Sequence, residues 1–237
     1  MVAITDKTKI HTLIAALTSQ LSRIRILALA FVLAWGTLSN QSLAVDELPI
    51  STPVGHFEHA PPQLRETNHQ WFELEHSLTF IDPNKKHWSA PQGTLTDGAS
   101  IPSIFIPIIG EKADQSYLSA AIIHDAYCQK ENKNNPVYQS EPWEQVHEMF
   151  YHAAVASGTP PLKARVMYAA IYLGGPRWQT PKRDISHVPK SRLIQELKWC
   201  IQLIEDRNAT TEDVTNWMRS REENLRSGRI VKPSWAK

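Results

Sequence analysis

WFELEHSLTFIDPNKKHWSA, residues 71–90, is the stretch that decides the first half of the fold. Its opening part alternates, with Phe72, Leu74, His76, Leu78 and Phe80 on one side. That is the period of a half-buried strand, and the aromatic and β-branched content agrees. Asp82-Pro83-Asn84-Lys85-Lys86 is a turn signal, and His87–Ala90 begins a return strand. The reading is a β-hairpin whose first strand covers 71–81. Downstream of residue 116 the period changes. SYLSAAIIHDAYCQK (116–130) carries Leu118, Ala121, Ile122 and Asp125 at helical spacing. PWEQVHEMFYHAAVASG (142–158) opens on Pro142 and stops at Gly158, and LKARVMYAAIYLG (162–174) stops at Gly174-Gly175-Pro176. Further helices are predicted over Lys190–Asp206 and from Thr211 to about Leu225, with Thr210 or Thr211 as cap. Strands and helices do not alternate, which argues against a parallel sheet. The expected class is α+β: an N-terminal β-hairpin or small antiparallel sheet packed on a bundle of four to five α-helices.

Upstream, residues 45–69 hold Pro49, Pro53, Pro61 and Pro62 with little periodicity and read as an extended lead-in. Residues 24–35, IRILALAFVLAW, are apolar except for Arg25 and follow Lys7, Lys9 and Arg23. Small residues close the segment at Ser42-Leu43-Ala44. A basic front, a short apolar centre and a small-residue end form the pattern of a secretory signal peptide, with an N-terminal membrane anchor as the alternative. The organisation is then 1–44 signal peptide, 45–69 lead-in, 70–180 core domain and 181–237 C-terminal helical extension. The full chain of 237 residues has a formal charge of +1. Removing 1–44 takes away Lys7, Lys9, Arg23 and Arg25 against Asp6, leaving 193 residues with a net charge of −2. Neither figure offers the basic excess of a nucleic-acid footprint. Export makes Cys128 and Cys200 candidates for one disulfide, with two free buried thiols as the alternative.

Two clusters carry chemistry. TDGASIP (96–102) joins hairpin to helices, and Asp97-Gly98 permits a tight turn with Ser100 following. Such a loop either supplies oxygens to a hard cation such as Ca²⁺ or is an ordinary turn. AAIIHDAYC (120–128) sets His124 and Asp125 in a strongly apolar helix. A carboxylate there is costly to bury unless paired, hydrogen-bonded or metal-bound. His147 on the next helix shares a face with Phe150, Tyr151 and Ala154 and can approach the pair across an antiparallel helix contact. Asp97, His124, Asp125 and His147 make a set for a divalent metal or for acid-base work. Arg177-Trp178 either lines a pocket or locks a helix end against the core.

TDGASIP, AAIIHDAYC, VHEMFYHAAVASG (146–158) and ARVMYAAIYLGGPRW (164–178), in that order, resemble the bacterial and phage family called domain of unknown function 1353. The resemblance covers about residues 70–180. This chain departs from it at His147, where the family often has Asp. HDAYC (124–128) is also similar to the His-Asp helix of secreted phospholipases A2, with Tyr127 and Cys128 in reversed order, and Asp97-Gly98-Ala99-Ser100 is similar to a loop of their bacterial relatives. That likeness implies His124 as a general base activating water. It implies Asp125 and loop groups at Asp97 and Gly98 as holders of Ca²⁺, His147 orienting His124, and Ser100 and Tyr127 in support.

The leading expectation is an exported metal-dependent hydrolase acting on a small-molecule, lipid or cell-wall substrate. Nucleic acid is not expected, and membrane contact is expected only through the signal segment. The alternative is a non-enzymatic envelope or phage-derived binding module whose His-Asp cluster is a buried structural network.

Overall fold

The computed structural model describes residues 54–68, 70–98, 100–109 and 116–237. The segment read as a signal peptide lies outside the described residues. Among the described residues six strands come first: β1 His56–Glu58, β2 Leu64–Asn68, β3 Trp71–Leu74, β4 Leu78–Ile81, β5 His87–Ala90 and β6 Leu95–Thr96. They form two antiparallel three-stranded sheets, ordered β1-β4-β5 and β2-β3-β6. Six α-helices follow among the described residues: α1 Ile106–Ile109, α2 Leu118–Cys128, α3 Trp143–Ala156, α4 Pro161–Gly174, α5 Lys190–Arg207 and α6 Thr211–Arg226. The chain is α+β, with the sheets N-terminal to the helices.

Two sequence expectations need correcting. The segment 71–81 is not one strand but β3 and β4, which belong to different sheets. Leu74, Leu78 and Phe80 are all buried and keep the same phase through the bend, so alternation alone does not register the break. What breaks it is pairing: the Leu74 N–H donates to Thr94 and the Glu75 N–H to Gln63, turning the chain toward the second sheet. The lead-in also holds strands. β2 is a polar edge strand whose Arg65 pairs across to Glu73 at 2.9 Å, so it carries no apolar period. In β1, Phe57 stacks on Phe80 with ring centroids 5.0 Å apart.

The hairpin β4–β5 has its register set by Asp82. One carboxylate oxygen accepts from the Asn84 and Lys86 N–H groups at 2.8 and 2.9 Å, and the other from the Trp88 indole at 3.0 Å. Phe80 and Trp88 therefore face each other in the ladder, both buried.

Helix α2 is buried on every face, from Ala120 through Cys128, and is apolar apart from His124 and Asp125. A helix of that kind belongs in the middle of a domain. It lies between the strands β4, β5 and β6 on one side and α3 on the other, and each later helix packs on the one before it. Ile122 and Ile123 are fully enclosed, each contributing about 2–3 kcal/mol by burial. Gly158, at φ +102°, ends α3, and Pro161 starts α4. Thr210 caps α6 in a reciprocal box with Asp213, the position the sequence offered. Helices α5 and α6 bury Leu197, Cys200, Ile204, Val214 and Met218 in the same core. Among the described residues no helix is long and apolar enough to cross a membrane. Cys128 and Cys200 are both free and buried.

Candidate metal centre

Cys128 stands four residues after His124 and three after Asp125, the two spacings that make side chains neighbours on a helix, so its thiol meets both of them on α2. One ligand atom from each, taken together, lie within 4.8 Å of one another. The Cys128 Sγ is 3.3 Å from His124 Nδ1, and that nitrogen is 3.9 Å from Asp125 Oδ1. A tetrahedral zinc ion with bonds of ~2.3 Å to sulfur and ~2.0 Å to nitrogen would want ligand spacings of roughly 3.3–3.6 Å. The His124–Cys128 spacing falls in that range, and the His124–Asp125 spacing is a few tenths of an ångström longer. Calcium fits less well, because its shell is built from six to eight oxygens.

The loop 96–102 is tied to this face through Asp125. Thr96 Oγ1 donates to Asp125 Oδ2 at 2.7 Å, and Ser100 Oγ donates to Oδ1 at 2.9 Å. Ser100 Oγ also lies 3.2 Å from the Ala121 carbonyl. The Gly98 N–H donates to Thr96 Oγ1 at 2.9 Å, which requires the left-handed turn at Gly98, φ +73°. Asn132 fastens the other side. Its amide nitrogen donates to the Leu95 and Asp125 carbonyls at 2.8 and 2.9 Å, and its oxygen accepts from the Leu95 N–H at 2.8 Å. Asp125 thus has its carboxylate and its backbone both committed, and this network fixes β6 onto α2.

A cleft of about 280 Å³ opens over the cluster, lined among others by Asp97, Ser100, His124, Asp125, Cys128 and Gly175. His124 and Asp125 are only 1% and 3% exposed, so they form its floor, while Asp97 is half-buried at its side. Burial, then the nearby charges of Asp125 and Asp97, push the Cys128 thiol well above its ordinary range.

The structure brings Asp97, Gly98, Ser100, His124 and Asp125 together. His147 is close but set behind the floor. Its ring lies 5.2 Å from that of His124, centroid to centroid, and 5.3 Å from Trp143. Neither of its nitrogens has a hydrogen-bond partner among the described residues, so it touches His124 through ring packing, not through a proton. Burial first, then His124 and Arg177, hold it well below the ordinary imidazole range and therefore neutral. Gly175 makes room for it. A Cβ there would stand 2.5 Å from the Ile171 carbonyl and 3.0 Å from His147 Cε1. Tyr127 points elsewhere. Its hydroxyl accepts from the Ser89 N–H at 3.2 Å and its ring packs edge-on against Trp88.

Behind His147 lies an ionic network. Arg177 sits over the Trp143 ring at 4.5 Å and donates to Glu222 at 3.0 Å and to the Tyr172 carbonyl at 2.9 Å. Arg183 bridges Glu144 and Glu222 at 2.6 and 2.8 Å, and Arg219 adds a 2.9 Å bond to Glu144. Arg183 and Arg219 together overcome the effect of burial and lower the Glu144 carboxyl to about 2. Trp178 is buried and its indole donates to the Glu141 carbonyl at 2.8 Å, so Arg177-Trp178 locks the end of α4 against the core.

Cys128 and Asn132 were not singled out from the sequence as site residues. Cys128 stands four residues after His124 and three after Asp125, a spacing that would have found it. No sequence signal marks Asn132, which acts through a loop contact 37 residues away.

The family described as "Protein of unknown function (DUF1353)" matches residues 72–171. The uncharacterized protein y4jT of Sinorhizobium fredii (strain NBRC 101917 / NGR234) is 34% identical over 164 residues, 69% of this chain and 45% of its own length. The uncharacterized protein y4iH of the same strain is 35% identical over 105 residues, 44% of this chain and 41% of its own. The chain thus spans less than half the length of these two relatives. No solved structure matches it.

Proposed function

We propose that the protein is a metal-dependent hydrolase whose metal is zinc or a similar borderline divalent ion, held by His124, Asp125 and Cys128. The observation that carries this reading is the donor set: an imidazole, a carboxylate and a thiol on one helix face, at the floor of a cleft. A thiol beside an imidazole suits zinc and not calcium, so the Ca²⁺ expected from the sequence gives way. The likeness to phospholipases A2 rests on two short motifs, HDAYC and the Asp97–Ser100 loop, and adds no oxygen-rich shell. A cation here would also relieve the unfavourable placing of a buried thiol against two carboxylates.

When bound, the metal supplies Lewis-acid activation of water and of a substrate carbonyl. Asp97, on the cleft wall, is the group we assign to accept the proton from water. Asp125, gripped by Thr96 and Ser100, is held in one orientation as a ligand. His147, neutral and held in place by Trp143 and Gly175, gives His124 a packed backing. The cleft volume suits a small ester or amide, or one end of a longer lipid or cell-wall chain. Export through residues 1–44 is part of the proposal.

The test is hydrolysis of a panel of short esters and acyl amides by metal-free and zinc-loaded protein. The proposal expects activity only with zinc, and a loss of about 10²-fold in kcat for Asp97→Asn with zinc content unchanged. Equal rates with and without zinc, or no loss in Asp97→Asn, would overturn it.

One observation favours a second reading. Both Asp125 oxygens are occupied by hydroxyls. The cluster would then be a structural clamp, and the protein a non-enzymatic envelope or phage-derived module. A folded protein that binds no metal would establish that reading.

A further inference from the structure

A second cavity, about 640 Å³, lies at the C-terminal end of the chain, between α5, the end of α6 and the tail after it. Its apolar wall is built from Val188, Trp199, Leu225 and Ile230. Its charged lining side chains are Arg192, Lys232 and Lys237, with no Asp or Glu among the described residues that line it. All of these lie beyond the family match, which ends at residue 171. We propose that this cavity binds an amphiphilic carboxylate, with its aliphatic chain along the apolar wall and its anionic head at Arg192.

Three observations carry this. The first is Arg192 itself. Its side chain is nine-tenths buried and stacks over Trp199 at 5.1 Å. Only Nη2 is engaged, with Glu196 and more distantly with the Arg229 carbonyl; Nε and Nη1 have no partner among the described residues. Buried donors without partners are rare in native proteins and call for a ligand, a water or an ion. The second is charge. Glu196 is completely enclosed and already holds Arg221 through two bonds, at 3.0 and 2.9 Å. Two guanidinium groups on one buried carboxylate leave an excess positive charge, which is costly unless an anion answers it. Lys232 at the rim adds to the same sign, whereas Lys237 is answered by Asp206 at 3.2 Å. The third is exposed apolar surface. Ile230 is 73% exposed at the cavity wall and Val231 beside it 47%. An aliphatic chain would cover that surface, and the volume is that of an ordinary small-molecule site.

The experiment is calorimetric titration of the metal-free protein, in chelator, with decanoate, decanol and acetate. Decanoate is expected to bind saturably at one site, and decanol and acetate each at least tenfold more weakly. Arg192→Gln is expected to weaken decanoate at least tenfold and leave decanol unchanged. Glu196 keeps Arg221 in that variant, so its carboxylate is not orphaned. Lys232→Gln, on the exposed rim, is expected to weaken decanoate severalfold without touching the fold. Equal binding of decanoate and decanol, wild-type affinity in both variants, or no saturable decanoate binding would each overturn the proposal.

Discussion

Replacing Asp125 by Ala tests how the loop 96–102 is held. The carboxylate accepts from Thr96 at 2.7 Å and from Ser100 at 2.9 Å while only 3% exposed. Hydrogen bonds to a charged group are worth about 1.5–3 kcal/mol each. Alanine removes both, and also removes the cost of burying the charge. Thr96, fully buried, then keeps a bond from the Gly98 N–H but has nowhere to donate, an orphaned donor costing about 1 kcal/mol or more. Ser100 keeps the Ala121 carbonyl and loses little. The balance is a loss of about 3 kcal/mol, or roughly 6–12 °C in Tm for a chain of this size. Asp125→Asn retains one acceptor for two hydroxyls and turns a donor toward the other, so about half that loss is expected. The assay is urea unfolding followed by circular dichroism, in chelator so that metal plays no part. An Asp125→Ala protein within about 0.5 kcal/mol of the parent would refute the clamp, since that is the range of an ordinary surface substitution.

Other consequences follow from the same packing. Glu144 has its carboxyl lowered to about 2 by Arg183 and Arg219. A depressed folded-state value means its contribution is complete above about pH 5 and is lost as pH falls toward 2. Because the group is partly exposed, the contribution is about 1–2 kcal/mol after solvent screening, and Glu144→Gln should flatten that part of the stability-pH curve; an unchanged acid limb would contradict it. Gly175→Ala should displace His147 and the Ile171 turn and destabilise by about 1–3 kcal/mol, read by thermal melting; a neutral effect would mean His147 is not confined there. Cys200 is buried, with its thiol raised by burial and then by Glu196, so it should stay unreactive toward a thiol reagent until the chain unfolds. Rapid labelling of two thiols in the native protein would count against the core as described.

The helices were legible because their signals are local. The apolar run 116–130, the Gly158 stop before α4 and the Thr210 cap each act within a few residues, and each predicted helix stands within a turn of its observed bounds. The sheets were less so. β2 is polar because it is an edge, and the break between β3 and β4 is made by partners at Gln63 and Thr94, which alternation does not encode. The site divides the same way. His124 and Asp125 stood out as polar groups in an apolar helix, and Asp97 and Ser100 as turn residues near them. Asn132 and the pairing of Arg177 with Glu222, 45 residues apart, come from tertiary closure and leave no local trace. His147 lies beside His124, as its place on the next helix predicts, but its neutrality and its lack of hydrogen bonds among the described residues come from burial by Trp143, Trp178 and Gly175.

The central claim is that His124, Asp125 and Cys128 hold a metal. The most direct measurement is zinc binding to the purified protein, by competition with a chromophoric chelator and by elemental analysis after dialysis. The account predicts one zinc per chain, with affinity falling at least 100-fold in Cys128→Ala and in His124→Ala while circular dichroism shows both still folded. A folded parent that takes up no zinc, or a Cys128→Ala protein that keeps one zinc at the parent's affinity, would contradict it.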